Sequence, residues 1–433
     1  MPAPKEKQLY SDKSPVEAWV PATLGSGPGE MFAERTNWNL SPNRLSEALA
    51  AYHSAGKRLY DLSASNPTEE GFERPGEAVL NAFANEAALT YAPDPKGLLS
   101  ARQAVANYYK TREDDVPTDD IILTTSTSEA YSFVFRTLCN PGDELLVPAP
   151  SYPLFGFLAD IHDVRLVQYR LIYDHGWQID FHALEQGITP RTRGIIVVNP
   201  NNPTGHFTKP EELATLNEIC SQRGMALIAD EVFLDFAYAD TTVRRDVPKN
   251  PRNRSSVGRK PQSLAVNKDA LTFTMSGLSK ISGLPQMKVS WLVTSGPQEL
   301  KTQALDRLEV IADTYLSMNS PVQLALPELL EQRLGFQKQV MTRVRRNVAE
   351  LDRQLLQRKS CSRLEIEGGW YAVLRVPATR PDDDLAVDLL TNKGIYLHPG
   401  HFYDFQSDGY LIVSLIMQER EFSEGIRQLL SAF

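Results

Sequence analysis

Cysteine is scarce. Cys139, Cys220 and Cys361 are the only three in 433 residues, and they lie far apart. An odd number at such spacing excludes a disulfide framework and a cysteine-built metal site, and reads as reduced thiols in a cytoplasmic protein. No His-Glu-x-x-His and no Gly-x-Ser-x-Gly occurs, which removes zinc-hydrolase and serine-hydrolase chemistry. Gly277 stands three residues before Lys280, where a serine–lysine hydrolase would need its serine. No uncharged apolar run is long enough to span a bilayer, and "MPAPKEKQLYSDKSPVEAW" lacks the apolar centre of a signal peptide. Basic residues are not in excess: 45 Lys and Arg against 54 Asp and Glu give a formal net charge of −9. Neither nucleic acid nor a membrane is therefore an expected partner. Residues 1–60 also carry no basic helix-turn-helix pattern, which argues against a DNA-reading regulator.

What remains is an ordinary globular composition, 42% hydrophobic and 23% charged, long enough for two domains. From about 75 to 320, helical periodicity alternates with short apolar runs: "IILTT", "ELLVPAP", "GIIVVNP", "MALIADEVF", "LTFTMS" and "SWLVTS". Continuous apolar runs between amphipathic helices predict strands buried on both faces, hence an α/β fold with a mostly parallel sheet flanked by helices. A long amphipathic segment at about 324–358, then "LEIEGGWYAVLRV", a helical pattern at 382–393, "GIYLHPG", "GYLIVSLIM" and a terminal helix predict a smaller α+β domain. The expected division is a large domain over 75–320 and a small one from 1–74 and 321–433, with an N-terminal arm. "GSGPGE" mimics a glycine-rich nucleotide loop, but no strand pattern precedes it. "TTVRRDVPKNPRNRSSVGRK" reads as a solvated insertion.

Open α/β sheets bind ligands at the C-terminal ends of their strands. There the chain places Tyr152 after "LLVPAP", Asn199 and Asn202 in "VVNPNNPTG", Asp230 at the end of "LIAD", and Lys280 in "MSGLSK". Taken singly, each is ordinary turn, cap or surface chemistry. Together they offer an amine, a carboxylate, an amide and an aromatic ring. Pyridoxal phosphate needs that set: a lysine for its aldehyde, a carboxylate beside its ring nitrogen, a donor for its phenolic oxygen and a ring against its face. "ILTTSTSEAYSFVF" runs from a strand into a helix, so Thr127 and Ser128 would stand at a helix start suited to phosphate.

The ordered motifs "YAPDPKGLLSARQAVANYY", "PGDELLVPAPSYP", "VVNPNNPTG", "ADEVF" and "SGLSK…GLP", over roughly 60–415, resemble the class I/II aminotransferases of the aspartate aminotransferase fold. This fold is type I among pyridoxal 5′-phosphate enzymes. The resemblance implies Lys280 as the Schiff-base lysine and Asp230 as the partner of the ring nitrogen. It implies Asn202 as the donor to the phenolic oxygen and Tyr152 as the stacking ring. Thr127 and Ser128 match the phosphate cup, and Tyr91 the tyrosine that reaches a neighbouring subunit's phosphate, which implies a homodimer. The implied reaction moves an amino group between an amino acid, aromatic or apolar, and a 2-oxo acid.

Departures from the family pattern bear on function. After Lys280 the usual Gly-x-x-Gly-x-Arg-x-Gly reads "GLPQMKVSW", with Gln286, Lys288 and Ser290. Lys288 keeps a point charge for phosphate without the bidentate fork of arginine. Phe233 stands where the family has tyrosine. Ile412 in "GYLIVSLI" stands where the family's carboxylate-clamping arginine belongs, two residues before Ser414. Arg375 and Arg35, in "WYAVLRVP" and "FAERTNW", are the candidate replacements, and "HPGHFYDF" adds His401 and Tyr403 in a loop expected to face the cleft and to suit an aromatic or apolar substrate. A lyase or decarboxylase on the same fold is the alternative that this loss raises, and a non-catalytic cofactor-binding protein is a further one.

Overall fold

The apolar runs form strands, and Ile121–Thr124, Glu144–Ala149, Ala226–Asp230, Thr272–Gly277 and Ser290–Ser295 are buried along their whole length. The computed structural model of the chain describes residues 31–73, 76–238 and 261–433. "GSGPGE" at 25–30 and the basic stretch at 241–260 lie outside the described residues.

The strands in chain order are β1 (Tyr60–Asp61), β2 (Ile121–Thr124), β3 (Glu144–Ala149), β4 (Arg165–Tyr173), β5 (Trp177–Ile179), β6 (Thr192–Val198), β7 (Ala226–Asp230), β8 (Thr272–Gly277), β9 (Ser290–Ser295), β10 (Ser362–Arg363), β11 (Tyr371–Arg375), β12 (Ile395–Tyr396), β13 (His398–Pro399) and β14 (Tyr410–Ser414). Eight of them build the main sheet in the order β2-β9-β8-β7-β6-β3-β4-β5. The run β8-β7-β6-β3-β4 is parallel throughout. β9 is antiparallel to both its neighbours, so β2 beyond it runs with the parallel set, and β5 closes the far edge antiparallel to β4. The C-terminal ends of β2, β3, β6, β7 and β8 consequently open on one side of the sheet.

The long amphipathic segment is two helices, Ser320–Glu331 and Arg333–Leu355, meeting at Gln332. Beyond them a four-stranded antiparallel sheet, β10-β11-β14-β13, packs with helices Asp382–Lys393 and Glu419–Leu430. Its hydrophobic cluster draws Leu45, Leu62 and Phe72 from the early chain and Leu374, Ile412 and Phe422 from the late chain. Separate clusters cover the two faces of the main sheet, one centred on Phe273 and Leu292, another on Ile195 and Leu227. Gly205 joins the sheets: its φ is +72°, and a Cβ there would lie 2.6 Å from the carbonyl oxygen of Gly368, so glycine alone permits this approach.

Candidate active site

A cavity of about 280 Å³ lies where the strand ends of the main sheet face the antiparallel sheet. Lys280 enters it from the short helix Leu278–Ile281 that follows β8. Its Nζ donates to the Ser65 carbonyl at 3.4 Å and lies 5.2 Å from the Trp370 ring and 5.8 Å from the Phe233 ring. Phe233 is buried in the apolar cluster, so the position that carries a hydroxyl in the family presents only a ring face here.

Asp230 ends β7 and lines the same cavity. Its Oδ2 accepts from the Tyr131 hydroxyl at 3.2 Å and its Oδ1 from the Val232 amide at 3.2 Å. Burial pushes the carboxyl up to about 6, with these two hydrogen bonds opposing the rise. No cation among the described residues forms an ion pair with it. Asn202 also lines the cavity, and its buried Oδ1 has no hydrogen-bond partner. An orphaned amide oxygen and a buried carboxylate without a cation both cost stability unless a ligand answers them.

Helix Thr127–Leu138 starts at the cavity. Ser126 caps it through Oγ, which accepts from the Glu129 amide, while Glu129 Oε2 accepts from the Thr125 amide at 2.6 Å. Thr125, Ser126 and Thr127 line the cavity, whereas Ser128, one residue further into the helix, does not. Tyr152 also lines the cavity, 38% exposed, with its ring edge-on to Phe155. Lys288, held at φ +53°, is an exposed cavity residue two positions before Ser290, which pairs with Thr124. That register sets the Lys288 segment beside the helix start.

Besides Ser128, four expected residues are not brought into the cavity. Tyr91 is 80% exposed and lies outside it. Arg375 sits at the far end of β11, four residues from the cavity residue Tyr371, or about 13 Å along an extended chain. Its guanidinium donates to the Tyr410 hydroxyl at 3.1 Å. Arg35 pairs with Asp163 at 2.8 Å, and His401 lies 3.3 Å from Asp383. The histidine in the cavity is His398 on β13, with Nδ1 3.2 Å from the Tyr403 hydroxyl. Tyr371, Phe402 and Tyr403 complete that wall. Tyr131 escaped the sequence reading although a signal existed: it is four residues after Thr127 and so shares its helix face.

Beside Asp230, Glu231 is fully buried. Its Oε1 accepts from Asn199 Nδ2 at 3.1 Å and the Leu264 amide at 2.9 Å, and its Oε2 from the Ser263 hydroxyl. Burial nevertheless pushes its carboxyl up to about 7 from an ordinary 4.5. A carboxyl whose folded-state pKa is raised stabilises the fold fully below the unfolded value, and that contribution is lost as pH rises toward the folded value. Stability is therefore expected to fall between about pH 4.5 and 7, by about 3 kcal/mol from this group. Glu231→Gln keeps the two bonds accepted by Oε1, reverses the one with the Ser263 hydroxyl and removes the charge. Urea unfolding at pH 5 and pH 8 should show a smaller difference in the variant than in the wild type; an unchanged difference would contradict the assignment.

Residues 57–428 match the family described as aminotransferase class I and II. The chain is 33% identical over 276 residues to the glutamate–pyruvate aminotransferase AlaA of Escherichia coli strain K12, a match covering 64% of each chain. It is 28% identical over 398 residues to an alanine aminotransferase of Mycobacterium bovis, covering 88% of this chain and 86% of that one. Among solved structures, an aminotransferase from Escherichia coli superposes with a TM-score of 0.76 at 25% identity, over 90% of this chain and 94% of the other. An alanine aminotransferase from Pyrococcus furiosus gives 0.77 at 23% identity, over 90% and 95%, and bears on the fold alone. Each of these relatives carries an aminotransferase name, none that of a lyase or decarboxylase. The matched region, 57–428 out of 433 residues, contains the whole cavity, and the chain belongs to the class I and II aminotransferase family.

Proposed function

We propose that the protein is a pyridoxal 5′-phosphate-dependent aminotransferase that moves an amino group between an amino acid and a 2-oxo acid. The observation that carries this reading is the convergence of Lys280, Asp230 and Asn202 on one cavity, with a buried carboxyl that has no cation among the described residues and a buried amide oxygen without a hydrogen-bond partner there. The cofactor answers the first need, its protonated ring nitrogen being a cation for Asp230, and its ring oxygen would accept from Asn202 Nδ2. Thr125, Ser126 and Thr127 would hold the phosphate at the positive end of their helix, with Lys288 as a further point charge. Tyr152 would cover the ring.

Bound there, the cofactor supplies an aldehyde that captures an amine and a ring that accepts the electron pair left when a Cα proton departs. Lys280 Nζ would hold the aldehyde carbon at rest, then take the Cα proton of the bound amino acid and deliver it to the cofactor side. Asp230 Oδ2, which accepts from the Tyr131 hydroxyl, would keep the proton on the ring nitrogen. The Phe233 and Trp370 ring faces attract the Lys280 ammonium. The aromatic wall of Tyr371, Phe402 and Tyr403 favours an apolar or aromatic donor side chain. Unpaired Cys139, Cys220 and Cys361 support a cytoplasmic setting. The exposed Leu89 and Tyr91 support a homodimer that would cover them. The core clusters support a division near residues 75 and 320, although helix Ser320–Glu331 packs with the main-sheet side through Val322 and Leu326.

The test is a panel of amino donors, beginning with alanine, glutamate and tyrosine, supplied to the cofactor-loaded protein without an acceptor. One equivalent of 2-oxo acid per site is expected, and added pyruvate or 2-oxoglutarate should then be aminated. Release of ammonia or carbon dioxide instead would contradict the reading.

A further inference from the structure

The cavity has two ends. At one, the start of helix Thr127–Leu138, with Lys288 beside it, suits an anion such as phosphate. The other is the wall contributed by the antiparallel sheet, and there the only nitrogen-bearing side chain among the described cavity residues is His398. His398 stands on β13 directly opposite Ile412 of β14, and Ile412 is directly opposite Val373 of β11. Residues opposite one another across antiparallel pairs share a face of the sheet. Val373, Ile412 and His398 therefore form one row, with His398 one strand spacing, about 4.8 Å, from the position where arginine was expected.

The imidazole is held. Its Nδ1 lies 3.2 Å from the Tyr403 hydroxyl, and the rings of Tyr396, Phe402 and Tyr403 stand 5.9, 5.7 and 6.0 Å from it. Ile412 itself is buried and apolar and offers a carboxylate nothing. An amino acid whose nitrogen reaches Lys280 still carries its carboxylate into the cavity, where an uncompensated charge is costly.

We propose that His398, oriented by Tyr403, is the specificity-determining residue that recognises the substrate's carboxylate, one row away from the arginine position. Recognition is then by a single hydrogen-bonding ring in place of a two-pronged guanidinium. The assignment rests on the aminotransferase reading above.

The test compares L-alanine with isopropylamine, in which a methyl group replaces the carboxylate. Half-saturating concentrations are read from the cofactor absorbance of the loaded full-length protein, for the wild type, His398→Phe and His398→Gln. The wild type is expected to prefer alanine. In His398→Phe the preference should fall at least about tenfold, as loss of a hydrogen bond to a charged group implies. His398→Gln should fall in between. An unchanged preference in both variants, with alanine still bound by the wild type, overturns the role of His398 alone. If His398→Phe does not fold, His398→Gln decides: a preference within about twofold of wild type overturns the proposal. If alanine does not respond, the panel donor that does and its decarboxylated amine take the place of the pair; a loaded wild-type protein that responds to no donor of the panel overturns the aminotransferase reading, and the His398 assignment with it.

Discussion

Replacing Lys280 by alanine is expected to end transamination, with kcat falling by about four orders of magnitude or more. In the proposed reaction the side chain has two tasks, holding the aldehyde carbon and moving the Cα proton, and no second amine among the described cavity residues is placed to take both over. Lys288 lies in the exposed segment beside the helix start and is at the wrong end. The loss should not come from unfolding. Lys280 is half-buried on the four-residue helix Leu278–Ile281 at the cavity, and is itself outside the apolar core clusters. A purified variant with wild-type secondary structure and wild-type turnover would contradict the assignment.

Asp230→Asn should be nearly as severe. The amide fits the same space, its one oxygen can accept from the Val232 amide while Nδ2 donates to the Tyr131 hydroxyl oxygen, but it cannot keep a proton on a ring nitrogen. We expect a loss in kcat of at least about a hundredfold, as for removal of one preorganised charge at a reacting centre, with weaker cofactor retention. The pH dependence gives a second readout. Burial holds the Asp230 carboxyl near 6 without a cation, and a pyridinium beside it would drive that value down. Cofactor binding by the wild type should therefore release a proton near pH 6, measurable by calorimetry in two buffers of different ionisation enthalpy. The asparagine variant should show no such release from this site; equal release in both would place the titrating group elsewhere.

The sequence was most readable where local and tertiary demands coincide. Runs such as "IIVV" and "LIAD" are apolar because both sheet faces are covered, so strand existence and buried position followed directly. Strand direction did not: "SWLV" carries the same apolar signature, yet β9 is antiparallel to β8 and β2. Double-sided burial constrains side-chain type and leaves chain direction open. At the site, Lys280, Asp230, Asn202, Thr127 and Tyr152 were legible because each stands at the end of a strand in one sheet. The antiparallel wall was harder. His398 and His401 occupy one loop, and only the ladder register that puts His398 opposite Ile412 separates the cavity residue from its neighbour paired near Asp383. Arg375 shares β11 with Tyr371, but extended geometry carries it out of reach and onto Tyr410. Tyr131 and Glu231 depend on contacts between distant segments, 99 residues apart for Tyr131 and Asp230 and 32 for Asn199 and Glu231.

The most direct measurement of the central claim is covalent. The cofactor-loaded protein is reduced with borohydride, digested, and its peptides are mapped by mass spectrometry. The account predicts one modified peptide containing "SGLSK", with the reduced cofactor on Lys280. Modification of another lysine, or of none, in a protein that still transaminates would contradict it.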